Sequence, residues 1–142
     1  MTKITKVKTG AKLEEESSYS RIVVVDNWIF VSNTAGRNPV SKEIPEDIVE
    51  QTHQVFDNVE RALKGVGSGL EDVVQTRVFI QTPSDTPAVM GIFGEKFRGV
   101  DPTTTVTCPP FGIECLQGRA GSDGLSRGGQ CGCRLYKPVG LI

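Results

Sequence analysis

The sequence predicts one α/β domain, a mixed sheet with two helices packed on one face. Three observations carry this: two apolar runs meeting at Asp26-Asn27, an amphipathic segment after Pro45, and two β-branched runs separated by a second helical segment. Strands joined through helices in this order build a mixed sheet covered on one side. The 142 residues suffice for one compact domain.

Residues 21–32 (RIVVVDNWIFVS) hold two β-branched and aromatic runs flanking Asp26-Asn27, a pair that tolerates positive φ and suits a tight hairpin. The polar stretch 33–43, with Gly36 and Pro39, reads as a loop. Pro45 opens a helix with Glu46 and Asp47 in its first turn, where carboxylates complement the helix dipole. Ile48, Thr52, Val55, Phe56, Val59, Ala62 and Leu63 then recur at spacings of three and four, and the glycine-rich 65–69 ends the helix. His53, Asp57, Glu60, Arg61 and Lys64 fall off that stripe.

Residues 73–80 (VVQTRVFI) alternate as a strand, with Val74, Thr76, Val78 and Ile80 on one face and Val73, Gln75, Arg77 and Phe79 on the other. Thr86-Pro87 starts a second helix, whose buried side is Val89, Ile92, Phe93 and Phe97 and which Gly99 closes. Residues 103–108 (TTTVTC) read as a buried strand between Pro102 and Pro109. The sheet face away from the helices, made partly apolar by Val73 and Phe79, predicts self-association as its cover. Residues 1–117 form the domain. The glycine-dense tail 118–142 reads as irregular or disordered, with no convincing closing strand.

Lysine and arginine number 16 against 17 acidic residues, with no basic block, which argues against nucleic acid as a partner. No apolar run approaches the roughly 20 residues of a membrane span. The basic start 1–12 lacks the apolar stretch of a signal peptide, so the cytoplasm is the expected location. Cys108, Cys115, Cys131 and Cys133 lie in the last third without CxxC spacing, and His53 stands alone, so no metal site is expected.

Four motifs in register carry a resemblance: Ser18-Tyr19-Ser20-Arg21; Phe30-Val31-Ser32-Asn33-Thr34; Gly67-Ser68-Gly69 leading into Asp72-Val73-Val74-Gln75-Thr76-Arg77-Val78-Phe79; and a helix ending in Phe-Gly before proline and a threonine-rich strand. Over about residues 17–112 the chain resembles the Rid (YjgF/YER057c/UK114) family. That resemblance implies a chorismate-mutase-like fold, a homotrimer or a hexamer of paired trimers, ligand sites in clefts between subunits, and no cofactor. It also implies hydrolysis of reactive enamines or imines to a carbonyl compound and ammonia. Such chemistry needs donors for a substrate carboxylate and a group or water for proton transfer, but no nucleophilic residue.

The sequence departs from the family pattern twice. Thr103 stands where deaminases of 2-aminoacrylate-type imines carry an arginine that clamps the carboxylate bidentately. The family's last strand, Val-Glu-Ile-Glu-like, supplies the glutamate assigned to positioning the attacking water. Here Glu114 is the only carboxylate nearby, and its context does not match. Read one base forward, codons for residues 118–124 can encode Val-Glu-x-Asp-x-Thr-Ala, so a frame shift in the gene or its sequencing would account for the tail. Resequencing decides that.

Residues 18–38 are similar to the 2-aminomuconate deaminase branch, which implies a small acidic enamine as substrate and 4-oxalocrotonate (2-hydroxymuconate) plus ammonia as products. The resemblance assigns catalysis to Ser32, Asn33 and Glu114, and substrate binding to Tyr19, Arg37, Thr103, Thr105 and Phe111. Each has a plainer alternative: Arg37 a solvated loop cation, Tyr19 an interface aromatic, Ser32 and Asn33 strand-end residues, Phe111 a core cap. A general imine deaminase and a non-enzymatic ligand-binding trimer remain the alternative functions.

Overall fold

The computed structural model describes residues 1–108 and, as backbone, 131–138. In chain order they form β1 (Ile4–Val7), α1 (Lys12–Glu16), β2 (Ile22–Val25), β3 (Trp28–Val31), α2 (Ile48–Lys64), β4 (Gln75–Ile80), α3 (Thr86–Lys96), β5 (Thr103–Thr107) and β6 (Cys131–Pro138). One sheet runs β1-β2-β3-β6-β4-β5. Only β4 and β5 pair in parallel, so the sheet is mixed as expected.

The hairpin turns at Asp26-Asn27, with Val25 opposite Trp28 and Asp26 at φ 52°. The Asp26 carboxylate accepts the Lys3 amide at 2.9 Å, tacking β1 to the turn. α2 begins at Asp47, whose carboxylate accepts the Val49 and Glu50 amides at 3.0 Å each. Removing this cap by Asp47→Ala is expected to lower stability by about 1 kcal/mol, read as the urea midpoint at unchanged slope.

Both long helices cover one face. Ile22, Ile29, Val31, Val78 and Ile80 of the sheet pack with Val55, Phe56, Val59 and Leu63 of α2 and Val89, Ile92 and Phe93 of α3. Phe97, just past α3, joins Phe56 and Phe93 in a ring cluster with centroids 4.6 to 6.3 Å apart. The spacing and tilt suit the aromatic quadrupoles.

Four expectations need correction. The closing strand does come from the tail: β6 lies between β3 and β4, hydrogen-bonded to both. Its sequence, CGCRLYKP, has no β-branched residue, so its extended state comes from pairing on two sides rather than from propensity. Residues 118–130 and 139–142 lie outside the described residues.

Val73 and Val74 occupy the opposite environments from those expected, at 3% and 43% exposure. A single 3-10 turn at Leu70–Asp72 ends on Val73, and regular alternation starts only at Gln75. The outer sheet face instead carries Trp28 and Phe30 on β3, 46% and 38% exposed, and half-buried Phe79 two strands away on β4. β5 is an exposed edge strand rather than a buried one, and Cys108 beyond it is exposed. Finally, β1 and α1 occupy a stretch that carries no helix or strand signal in the sequence reading.

Candidate functional site

The loop leaving β3 is held from two sides. On the first, the Ser32 amide donates to the Arg21 carbonyl at 2.9 Å and its hydroxyl to the Ser20 carbonyl at 2.7 Å. The Arg21 guanidinium donates through NH1 to the Asn33 carbonyl at 3.1 Å and the Thr34 hydroxyl at 3.3 Å. Its Nε donates to Glu14 at 3.2 Å. Glu14 is fully buried and also accepts the Thr9 amide at 2.7 Å and the Thr9 hydroxyl at 2.8 Å.

On the second side, the Asn58 amide of α2 donates to the carbonyls of Ala35 at 3.0 Å and Arg37 at 2.9 Å. Its own oxygen accepts from Gln54 at 3.0 Å and from Arg61. Gly36 is buried against the same helix, where a Cβ would sit 2.5 Å from the Gln51 carbonyl oxygen. Only glycine lets the loop lie this close. Arg37 itself is exposed and donates to the Lys42 carbonyl at 2.6 Å, bracing its side chain along the loop.

Ser32, Asn33 and Arg37 are therefore gathered in one clamped segment, with half-buried Tyr19 two residues before Arg21. Ser32's single hydroxyl proton goes to Ser20, which leaves its oxygen free only to accept. Thr103 and Thr105 lie elsewhere, exposed on the edge strand β5. The ladder places Phe30, Tyr136, Gln75 and Thr103 at one level across β3, β6, β4 and β5. Three strand spacings separate the loop side from Thr103, about 14 Å. Thr103's hydroxyl donates to the Val74 carbonyl at 3.1 Å, so its proton faces the sheet. Phe111 and Glu114 lie outside the described residues.

Glu14 and Asn58 were missed by the sequence reading, which had Arg21 only as part of a motif and Gly36 only as part of the loop. Nothing in the run Glu14-Glu15-Glu16 says which carboxylate is buried. Among the described residues no group of three or more His, Cys, Asp or Glu side chains converges, and no helix is long and apolar enough to cross a membrane.

A family model described as Endoribonuclease L-PSP matches residues 9–109, which include the clamped loop and both long helices. The chain belongs to the Rid family. The 2-iminobutanoate/2-iminopropanoate deaminase of goat, Capra hircus, is 31% identical over 85 residues, covering 59% of this chain and 62% of the goat protein. The match thus spans less than two thirds of that relative's length. The crystal structure of Rv2704 from Mycobacterium tuberculosis, a member of the YjgF/YER057c/UK114 family, superposes with a TM-score of 0.74 at 22% identity, covering 96% of this chain and all of that one. RidA from the Antarctic bacterium Psychrobacter sp. PAMC 21119 gives 0.71 at 22% identity, with 94% of each chain covered. These two likenesses establish the chorismate-mutase-like Rid fold.

Proposed function

We propose that this Rid-family chain is a cofactor-independent enamine and imine deaminase whose preferred substrate is a small dicarboxylic enamine, 2-aminomuconate. The observation that carries the substrate choice is the pair Thr103 and Arg37. At the strand position where the family's carboxylate clamp is expected, a threonine hydroxyl turns to a main-chain carbonyl. The clamped loop instead presents an exposed guanidinium. A cation supplied from the loop suits a substrate with two carboxylates. The goat relative's name supports the reaction class.

The loop residues and the β5 residues lie too far apart in one subunit to touch one small molecule. A site shared between copies of the chain, in a homotrimer or hexamer, joins them. The exposed aromatics Trp28 and Phe30 on the outer sheet face support such packing.

In the reaction, protonation of the enamine at carbon gives an iminium, water adds to the carbon bearing nitrogen, and ammonia leaves as the carbonyl forms. Arg37 holds a carboxylate, and Asn33 and the acceptor oxygen of Ser32 orient the amino group or the attacking water. Tyr19 and Thr105 bind substrate in this reading, and the resemblance gives Phe111 a binding role and Glu114 a catalytic one, both outside the described residues.

Ammonia release and loss of ultraviolet absorbance from enzymatically generated 2-aminomuconate, beside a 2-aminoacrylate control, test this. Turnover of the muconate in preference to the control is expected. Turnover of the control alone makes this a general imine deaminase. Inactivity on both, with binding retained, makes it a ligand-binding protein. The family's ribonuclease description would apply only if salt-dependent RNA binding were found, which the net charge of −1 does not favour.

A further inference from the structure

Glu14 is the one charged side chain among the described residues that is fully buried. It lies in the five-residue helix α1. A buried carboxylate is costly unless every lone pair that matters is met by a donor. Here the donors are the Thr9 amide, the Thr9 hydroxyl and the Arg21 Nε, at 2.7, 2.8 and 3.2 Å. All three are donors, so only an acceptor-only group satisfies the set. Glutamine would turn an amide hydrogen toward one of them.

The pair fixes a direction as well as a charge. Guanidinium is planar and its donors are rigidly spaced, so anchoring Nε on Glu14 determines where NH1 points. It points at the loop, to the Asn33 carbonyl and the Thr34 hydroxyl. Thr34 is buried and passes its own proton to the Ser32 carbonyl at 3.0 Å, closing the relay on the first residue of the loop.

We infer that Arg21, oriented by Glu14, is a positioning residue for the substrate loop 32–37, setting where Asn33 and Arg37 stand without touching substrate itself. This rests on the deaminase reading for its catalytic consequence, and on geometry alone for its mechanical one.

Three variants test it: Arg21→Met removes both arms, Arg21→Lys keeps a cation beside Glu14 but cannot span Glu14, Asn33 and Thr34 together, and Glu14→Gln removes the charge and sets an amide hydrogen against one of the three donors, weakening the anchor under Arg21. Hydrogen exchange by mass spectrometry is followed on the 32–37 segment and on α2, alongside ammonia release from 2-aminomuconate. Exchange in 32–37 is expected to quicken about tenfold in Arg21→Met and Glu14→Gln, and less in Arg21→Lys, with the centre of α2 unchanged. KM should rise, through Arg37, and kcat should fall, through Asn33, lowering kcat/KM by about tenfold or more.

Exchange that is unchanged in 32–37, or that quickens equally everywhere, overturns the proposal by showing only general destabilisation. A wild-type protein that releases no ammonia from either the muconate or the 2-aminoacrylate control sinks the deaminase reading instead, while the exchange data still decide what Arg21 holds. Should Arg21→Met fail to fold, Arg21→Lys and Glu14→Gln carry the same comparison.

Discussion

Replacing Arg37 by alanine is expected to raise KM for 2-aminomuconate by between about tenfold and a hundredfold and to leave kcat nearly unchanged. A charge-assisted hydrogen bond from a guanidinium to a carboxylate contributes about 1.5–3 kcal/mol, and each 1.4 kcal/mol is a factor of ten. The carboxylate carries its charge both before and during proton transfer to carbon, so the contact stabilises bound substrate and transition state alike. Losing such a contact appears in KM rather than kcat. Stability should change little. Arg37 is exposed, and its donation to the Lys42 carbonyl sits in a surface loop where water can replace it. Arg37→Lys keeps the charge but not the fork, and should fall between the two. Steady-state ammonia release measures all three. A KM for Arg37→Ala within about twofold of wild type would make Arg37 a solvated loop cation and remove the main support for a dicarboxylic substrate.

The parts of the fold that were legible are those whose physics is local. α2 announces itself through an apolar stripe at helical period, and Gln51, Thr52, Val55, Phe56, Val59 and Leu63 are its buried side, but its start was read too early: Pro45 and Glu46 precede the helix, and Asp47 is its cap rather than part of its first turn. The hairpin turn is written in Asp26-Asn27. The parts that were missed depend on partners far along the chain. β6 is extended because β3 and β4 each offer it a ladder, and its own residues say nothing of this. Val73 and Val74 exchange places because a 3-10 turn takes up residues before the strand begins. The threonines of β5 announce a strand, but β-branched residues suit an exposed edge as well as a core, so burial could not be read from them.

The candidate site divides the same way. Its loop was found through motif resemblance, whereas its supports were not. Arg21 in β-rich sequence looks like a surface cation, and Glu14 differs from Glu15 and Glu16 only in which way one short helix turns. That turn buries Glu14 completely while the Glu15 and Glu16 side chains stay 64% and 58% exposed. Asn58 lies off the apolar stripe and has no sequence signature at all. Its role follows only from the carbonyls that the loop brings over α2.

The complementary expectation is a gain. Thr103→Arg should raise kcat/KM for 2-aminoacrylate-type imines about tenfold or more, by putting back the bidentate carboxylate clamp that the resemblance assigns to this position. The edge strand can accept the change: residue 103 is exposed, is level with Gln75 on β4, and keeps its main-chain donation to the Val74 carbonyl at 3.0 Å. What is lost is the hydroxyl bond to that same carbonyl, at 3.1 Å on the surface, for which about 1.5 kcal/mol is an upper measure. The new guanidinium should do less for the muconate if Arg37 supplies a cation as proposed. Combining Thr103→Arg with Arg37→Ala should therefore turn the preference toward the monocarboxylic substrate by more than either change alone, read as the ratio of kcat/KM values. If the single variant folds and assembles like wild type yet gains nothing, residue 103 does not face the reacting carboxylate. The substrate would then be held by the loop half of the cleft alone.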